Sequence, residues 1–290
     1  MLNVKVLCSA MLLAIGISST ALAQTSMWKV SKGTDYVYIG GTVHFLPESA
    51  FPLPVEFDAA YNATDTLVLE VKIPEPNDIA AQTKLFLAML YKDDRSLSKV
   101  LSPDVYQQVR DYFATHGVQL QQFNGYKPGF IMLQMQALEM KKAQMAGEGV
   151  DSYFDKRAKA DGKTLAYLES LESQIRLLAN MGEGNEDDFM TMNLEQLDDF
   201  KNYFASMIAA WRVGDINELD KLLLEPSRAL DPILYQALFV ERNSAWLPKI
   251  EQMFGNDSKE LVLVGGGHLA GEHSVLALLQ QAGYTVEQVK

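Results

Sequence analysis

Leu261-Val262-Leu263-Val264-Gly265-Gly266-Gly267-His268 is an apolar run that stops at three glycines and a histidine. Such a run, closed by residues that let the chain turn, reads as a strand buried on both faces. Near the other end, Tyr36-Val37-Tyr38-Ile39-Gly40-Gly41-Thr42-Val43-His44 has the same form. A third run, Thr66-Leu67-Val68-Leu69-Glu70-Val71, is ended by Pro74 and Pro76. Met27-Trp28-Lys29-Val30 precedes the cluster Ser31-Lys32-Gly33-Thr34-Asp35 and predicts a hairpin with Tyr36–Ile39. A short strand over Lys163–Leu168 and a last one over Tyr284–Val289 complete the set.

The middle reads as helix. The spacing predicts helices over Asp78–Leu90, Pro103–His116, Gly129–Met145, Val150–Ala160, Ser170–Asn180, Leu194–Trp211, Pro232–Phe254 and, late in the chain, Glu272–Gln281. Asp231-Pro232 is a helix-start signal, a capping side chain before a proline at the first helical position. Strands at both ends with helices between them predict a mixed α/β fold. Its central sheet is built from N- and C-terminal strands in one domain over 24–290, with a helical insertion over about 78–255. The acidic stretch 183–188 reads as a solvated loop and helix start. Met132, Met135, Met140 and Met145 read as core.

The chain has 290 residues and a formal charge of −12, a poor match for nucleic acid, whose phosphates demand surplus Lys and Arg. Lys5, the apolar stretch Val6–Ile17 and Ala21-Leu22-Ala23 predict a secretory signal over 1–23, cut after Ala23, and a periplasmic or secreted product. The single cysteine, Cys8, would leave with it, removing thiolate catalysis and zinc–thiolate sites. No later segment is long and apolar enough to span a bilayer.

Of the four histidines, His44 and His268 each close a Gly-x-x-His unit directly after an apolar strand. A residue just past a strand projects from the rim of the sheet, where loop-borne ligands gather. Glu70, a carboxylate inside an apolar strand, is costly to bury unless paired or bound to a cation. If the three strands are neighbours, two imidazoles and a carboxylate could hold a divalent metal with an open position for water. Core and hydrogen-bonding roles are the alternative. His116 at a helix end suits the dipole, and His273 reads as solvent-facing. Gly265-x-Gly267-x-x-x-Gly271 mimics a dinucleotide fingerprint, but too little chain follows to complete that fold. No His-Glu-x-x-His or Gly-x-Ser-x-Gly pattern occurs.

The paired Gly-x-x-His motifs with Glu70 between them resemble the TraB/GumN family, related to the Tiki proteases and more distantly to erythromycin esterases and ChaN-like haem-binding proteins. The resemblance also covers Gly149-Val150-Asp151, Gly162-Lys163 through Leu168-Glu169 with Gln174, Arg242-Asn243 and Gly265–Gly271. It implies a mixed α/β fold with a helical insertion and, by its Tiki members, a metal-dependent peptidase acting on a peptide or small-molecule substrate. On that resemblance His44, Glu70 and His268 are the metal and catalytic candidates. Arg242 would stabilise an oxyanion or grip a carboxylate, and Asn243 would orient a ligand in a substrate site lined by Glu169 and Gln174. A helix-surface or interhelical hydrogen bond for Arg242 and Asn243, and a helix cap for Glu169, are the alternatives. Asp151 reads as a helix-start residue. A non-catalytic ligand-binding or regulatory protein on the same scaffold is the alternative.

Overall fold

A computed structural model describes residues 25–75, 77–145 and 147–290; the signal expected over 1–23 lies outside them. Six strands form one mixed sheet: β1 (Met27–Lys32), β2 (Asp35–Thr42), β3 (Thr66–Leu69), β4 (Thr164–Tyr167), β5 (Glu260–Gly265) and β6 (Thr285–Gln288). Their order is β4-β3-β5-β2-β1-β6. β2, β3 and β4 run parallel to β5 or to its neighbour, while β1 is antiparallel to both β2 and β6. The expected union of terminal strands is therefore present. Both apolar runs singled out at the chain's two ends are hydrogen-bonded neighbours, with Gly40 opposite Leu263.

Alternation in the central strands divides the core. Leu67, Leu69, Leu261 and Leu263 face Phe57, Phe154 and Trp211 on one side of the sheet. Val68, Val262 and Val264 face Trp246 and Leu279 on the other. Burial on both faces is why these strands read as unbroken apolar runs. Each fully buried Leu contributes about 1.5–3 kcal/mol over its exposed state. A separate core inside the helical insertion joins Phe113, Phe130, Met132, Met135 and Met190, and Met140 packs against the sheet-side core.

Helix starts follow their capping residues. Asp78, Ser102, Ser170, Asp231 and Ser274 each accept a hydrogen bond from the backbone N–H three residues on. Two expectations change. The helix over Leu194–Trp211 is two helices, Glu186–Asp198 and Phe200–Val213, broken at Asp199 (φ −126°, ψ 37°). Apolar spacing carries across that break and hides it. Residues 216–230, read as no element, form a helical run with a π turn at Asp220–Leu224. A π turn shifts the register of the following residues, so no single 3.6-residue period fits the segment. A second π turn, Gln236–Val240, lies inside the late helix, between Pro232–Tyr235 and Glu241–Glu251. Among the described residues no helix is long and apolar enough to cross a membrane.

Candidate functional site

Because β2, β3, β4 and β5 are parallel, their carboxyl ends share one rim of the sheet. His44 follows β2, Glu70 follows β3, Glu169 follows β4, and His268 sits in the 3-10 turn Gly266–Leu269 after β5. The β3–β4 pairing continues past both strands: the Glu169 N–H donates to the Glu70 carbonyl at 2.8 Å, which sets the two glutamates side by side.

Arg242, two residues past the π turn Gln236–Val240, joins them. Its Nη2 donates to Glu70 Oε2 at 2.5 Å and to Glu169 Oε1 at 2.7 Å, and its Nε to Glu169 Oε2 at 3.3 Å. Nη1 donates to His268 Nε2 at 2.9 Å and to the Leu238 carbonyl at 3.2 Å. A guanidinium has five N–H donors in a fixed planar fork, and here each has an acceptor. The other Glu70 oxygen, Oε1, accepts the Gly265 N–H at 2.6 Å. Side-chain exposures of 9% for Glu70, 12% for Glu169 and 13% for Arg242 make this a desolvated ion cluster. Burial opposes the charge on Glu70, yet His268, Arg242 and His44 outweigh it and hold the carboxyl down at about 2. Of these partners the arginine is decisive, since it is charged at every relevant pH.

Asn243, the next residue, turns the other way. Its Oδ1 accepts from His268 Nδ1 at 2.6 Å and its Nδ2 donates to the His273 carbonyl at 2.8 Å. With Nδ1 donating, His268 Nε2 carries the lone pair that receives Arg242. Burial first, and then Arg242 and His44, push the His268 pKa down to about 3 against the pull of Glu70. The imidazole is therefore neutral, and it packs on Trp246 at 4.4 Å and Phe239 at 5.3 Å between ring centroids.

His44 occupies the same rim but a wetter place. Its side chain is 58% exposed, and its Nδ1 lies 3.1 Å from Asp151 Oδ2. Partial desolvation opposes a charge on this ring, but Asp151, with Glu70 behind it, outweighs that and raises the pKa to about 9. Solvent screens a pair this exposed. The helix Val150–Asp161 starts against His44 because Gly149 allows it: a Cβ there would stand 2.1 Å from the His44 carbonyl oxygen. The Val150 N–H donates to the Val43 carbonyl at 3.0 Å and locks the register. Asp151, read from sequence only as a helix-start residue, is thus a rim residue. Its signal was the Gly149-Val150-Asp151 segment itself, in which a glycine admits close approach by another strand end.

The rim brings together Glu70, Glu169, Arg242, Asn243 and His268. Gln174 lies 3.5 Å from both Glu70 and Glu169, a weak contact. Asn243 is 1% exposed and orients His268. Arg242 grips the carboxylates of Glu70 and Glu169, and each of its donors is engaged within the protein. His273 is half exposed beside Glu272, and His116 bonds Glu139 at 3.1 Å, a helix-to-helix pair beyond its helix-end role.

For the expected metal, imidazole and carboxylate donors are suitable in kind. They do not fit as arranged. The point where Glu70 and His268 converge is filled by the Arg242 guanidinium, and His44 is paired with Asp151. Among the described residues no group of three or more His, Cys, Asp or Glu side chains is placed to hold a metal ion. A cleft of about 470 Å³ is lined by Glu169 and Arg242 together with residues of the helix Leu171–Ala179 and of the start of the Pro232 helix. Arg176 and Glu241 stand in its walls.

A model of the TraB/PrgY/gumN family matches residues 26–288. Metalloprotease TIKI2 of Danio rerio is 21% identical over 321 aligned residues, covering 90% of this chain and 60% of the relative. The chain thus spans about 60% of the length of that curated relative. No solved structure matches.

Proposed function

The chain belongs to the TraB/PrgY/gumN family, and from that premise we propose that it is a hydrolase working at the carboxyl rim of its sheet, with peptide bonds as the substrate class. The observation that carries the reading is the His44–Asp151 pair, set at the same sheet rim as Glu169 and Arg242, two residues that line the cleft. The distant similarity to a protein named a metalloprotease supports the choice of bond. In such a reaction the oxygen of water bonds to the carbonyl carbon, the carbon–nitrogen bond breaks, and a proton passes from water to the leaving nitrogen. Asp151 engages His44 Nδ1 and leaves Nε2 for that transfer. The carboxylate stabilises the imidazolium formed when neutral His44 takes the proton. Glu70, Arg242, Asn243 and His268 form the rigid floor under it. Export through a leader cut after Ala23 is a finer part of the same proposal.

A second reading, a non-catalytic ligand-binding or regulatory protein, is favoured by one observation: the Arg242 donors are all satisfied within the protein. Peptide-library cleavage followed by mass spectrometry, with and without chelator, separates the two. The wild type is expected to cleave, and His44→Ala to lose at least about 100-fold, the low end of what a positioned acid–base group supplies. Chelator sensitivity would establish the metal-dependent form. No cleavage would leave the binder standing, and equal cleavage by His44→Ala would refute the role given to His44.

A further inference from the structure

We propose that Arg242 is the resident cation of a latent metal site made of Glu70, Glu169 and His268, and that its guanidinium keeps divalent ions out of that place. This donor set differs from the His44, Glu70 and His268 expected from the sequence, and the inference does not depend on the hydrolase reading.

Geometry supplies the first argument. One guanidinium meets a carboxylate oxygen of Glu70 at 2.5 Å, a carboxylate oxygen of Glu169 at 2.7 Å and the Nε2 lone pair of His268 at 2.9 Å. These are two anionic oxygens and one neutral imidazole nitrogen around a single cation. The imidazole is oriented as a metal-ligating histidine is, with its other nitrogen donating to a fixed amide oxygen, here Asn243 Oδ1 at 2.6 Å. A carboxylate–imidazole set of this kind suits a borderline divalent ion such as Mn²⁺ or Zn²⁺.

Charge supplies the second. Glu70 and Glu169 are nearly dry and adjacent, and two carboxylates so placed call for a cation between them. Arg242 meets that need completely, through every donor it has, and its guanidinium carbon lies over Trp246, 4.7 Å from the ring centroid. An entering ion would have to displace an arginine held by two carboxylates, an imidazole, a backbone carbonyl and an aromatic face. Removing the guanidinium turns the same three side chains into ligands that lack a counter-charge.

The test uses the full chain as wild type and as Arg242→Met, with MnCl₂ and ZnCl₂ as probes. Binding is read by calorimetry and by elemental analysis after dialysis, and thermal melting is recorded with and without each metal. The wild type should retain no stoichiometric ion at this site, and its melting should not respond to micromolar metal. Arg242→Met should melt earlier than the wild type, regain much of that loss on metal addition, and bind one ion about a hundredfold more tightly. That fold-change is what restoring a broken buried ion pair supports. Glu169→Gln placed on top of Arg242→Met should abolish the gain. Stoichiometric metal in the wild type that is lost in Glu169→Gln would overturn the proposal. So would an Arg242→Met protein, folded or not, on which metal has no effect.

Discussion

The two Gly-x-x-His histidines should respond very unequally to truncation, although the sequence presents them as equivalents. His268→Ala removes a side chain that is 6% exposed. It strands Asn243 Oδ1, now bonded at 2.6 Å, and one Nη1 proton of Arg242, now bonded at 2.9 Å. Each buried group left unpaired costs about 1–3 kcal/mol. Lost ring contacts with Trp246 and Phe239 add about 0.5–1.5 kcal/mol, and a water entering the gap recovers part of the total. The expected loss is about 3–5 kcal/mol, a large share of the stability of an ordinary domain. His44→Ala removes a side chain that is 58% exposed and holds one screened ion pair. Such a pair contributes about 0–1 kcal/mol. Urea titrations at neutral pH, read by far-ultraviolet dichroism and by tryptophan fluorescence, measure both variants on one scale. If His268→Ala lies within about 1 kcal/mol of the wild type, the buried network is not holding the rim together and the reasoning fails. The same comparison matters for function. Lost activity in His268→Ala reports a broken floor unless stability is restored, whereas lost activity in His44→Ala reports chemistry.

Further outcomes concern pH. Asp151 raises the His44 pKa from 6.5 to about 9, so a hydrolase that uses neutral His44 should gain activity as pH rises toward that value. Asp151→Asn should move the rising limb down toward 6.5, and an unmoved limb would show that His44 is not the titrating group. Glu70 and His268 both have folded-state pKa values depressed below their ordinary ones, 4.5 falling to about 2 and 6.5 falling to about 3. Their contribution to stability is therefore full above about pH 6.5 and is lost as pH falls through those lowered values. Urea midpoints should decline steadily from pH 7 to pH 4, and a flat profile would contradict a neutral buried His268. His44 has the opposite sign, stabilising below 6.5 and fading as pH rises through about 9, with a small amplitude because solvent screens it.

Local chemistry was legible in the one-dimensional chain. Unbroken apolar runs mark strands buried on both faces, and Asp78, Ser170 and Asp231 mark helix starts, because these effects act between residues a few positions apart. The position of Glu70 inside such a strand likewise announced that some cation must meet it. Which cation, and where, depended on the strand order β4-β3-β5-β2, which places the ends of strands far apart in sequence on one rim. Arg242 reaches Glu70 across 172 positions and Asp151 reaches His44 across 107. No local pattern encodes those meetings. The π turns before Arg242 escape a period-based reading for the same reason, being stabilised by what they pack against. Residue types and their spacing determined that a strand-end histidine pair and a buried acid exist in an α/β chain. Tertiary packing alone decided that one histidine is exposed and paired with Asp151, while the other is dry, neutral and tied to an arginine whose every donor is already used.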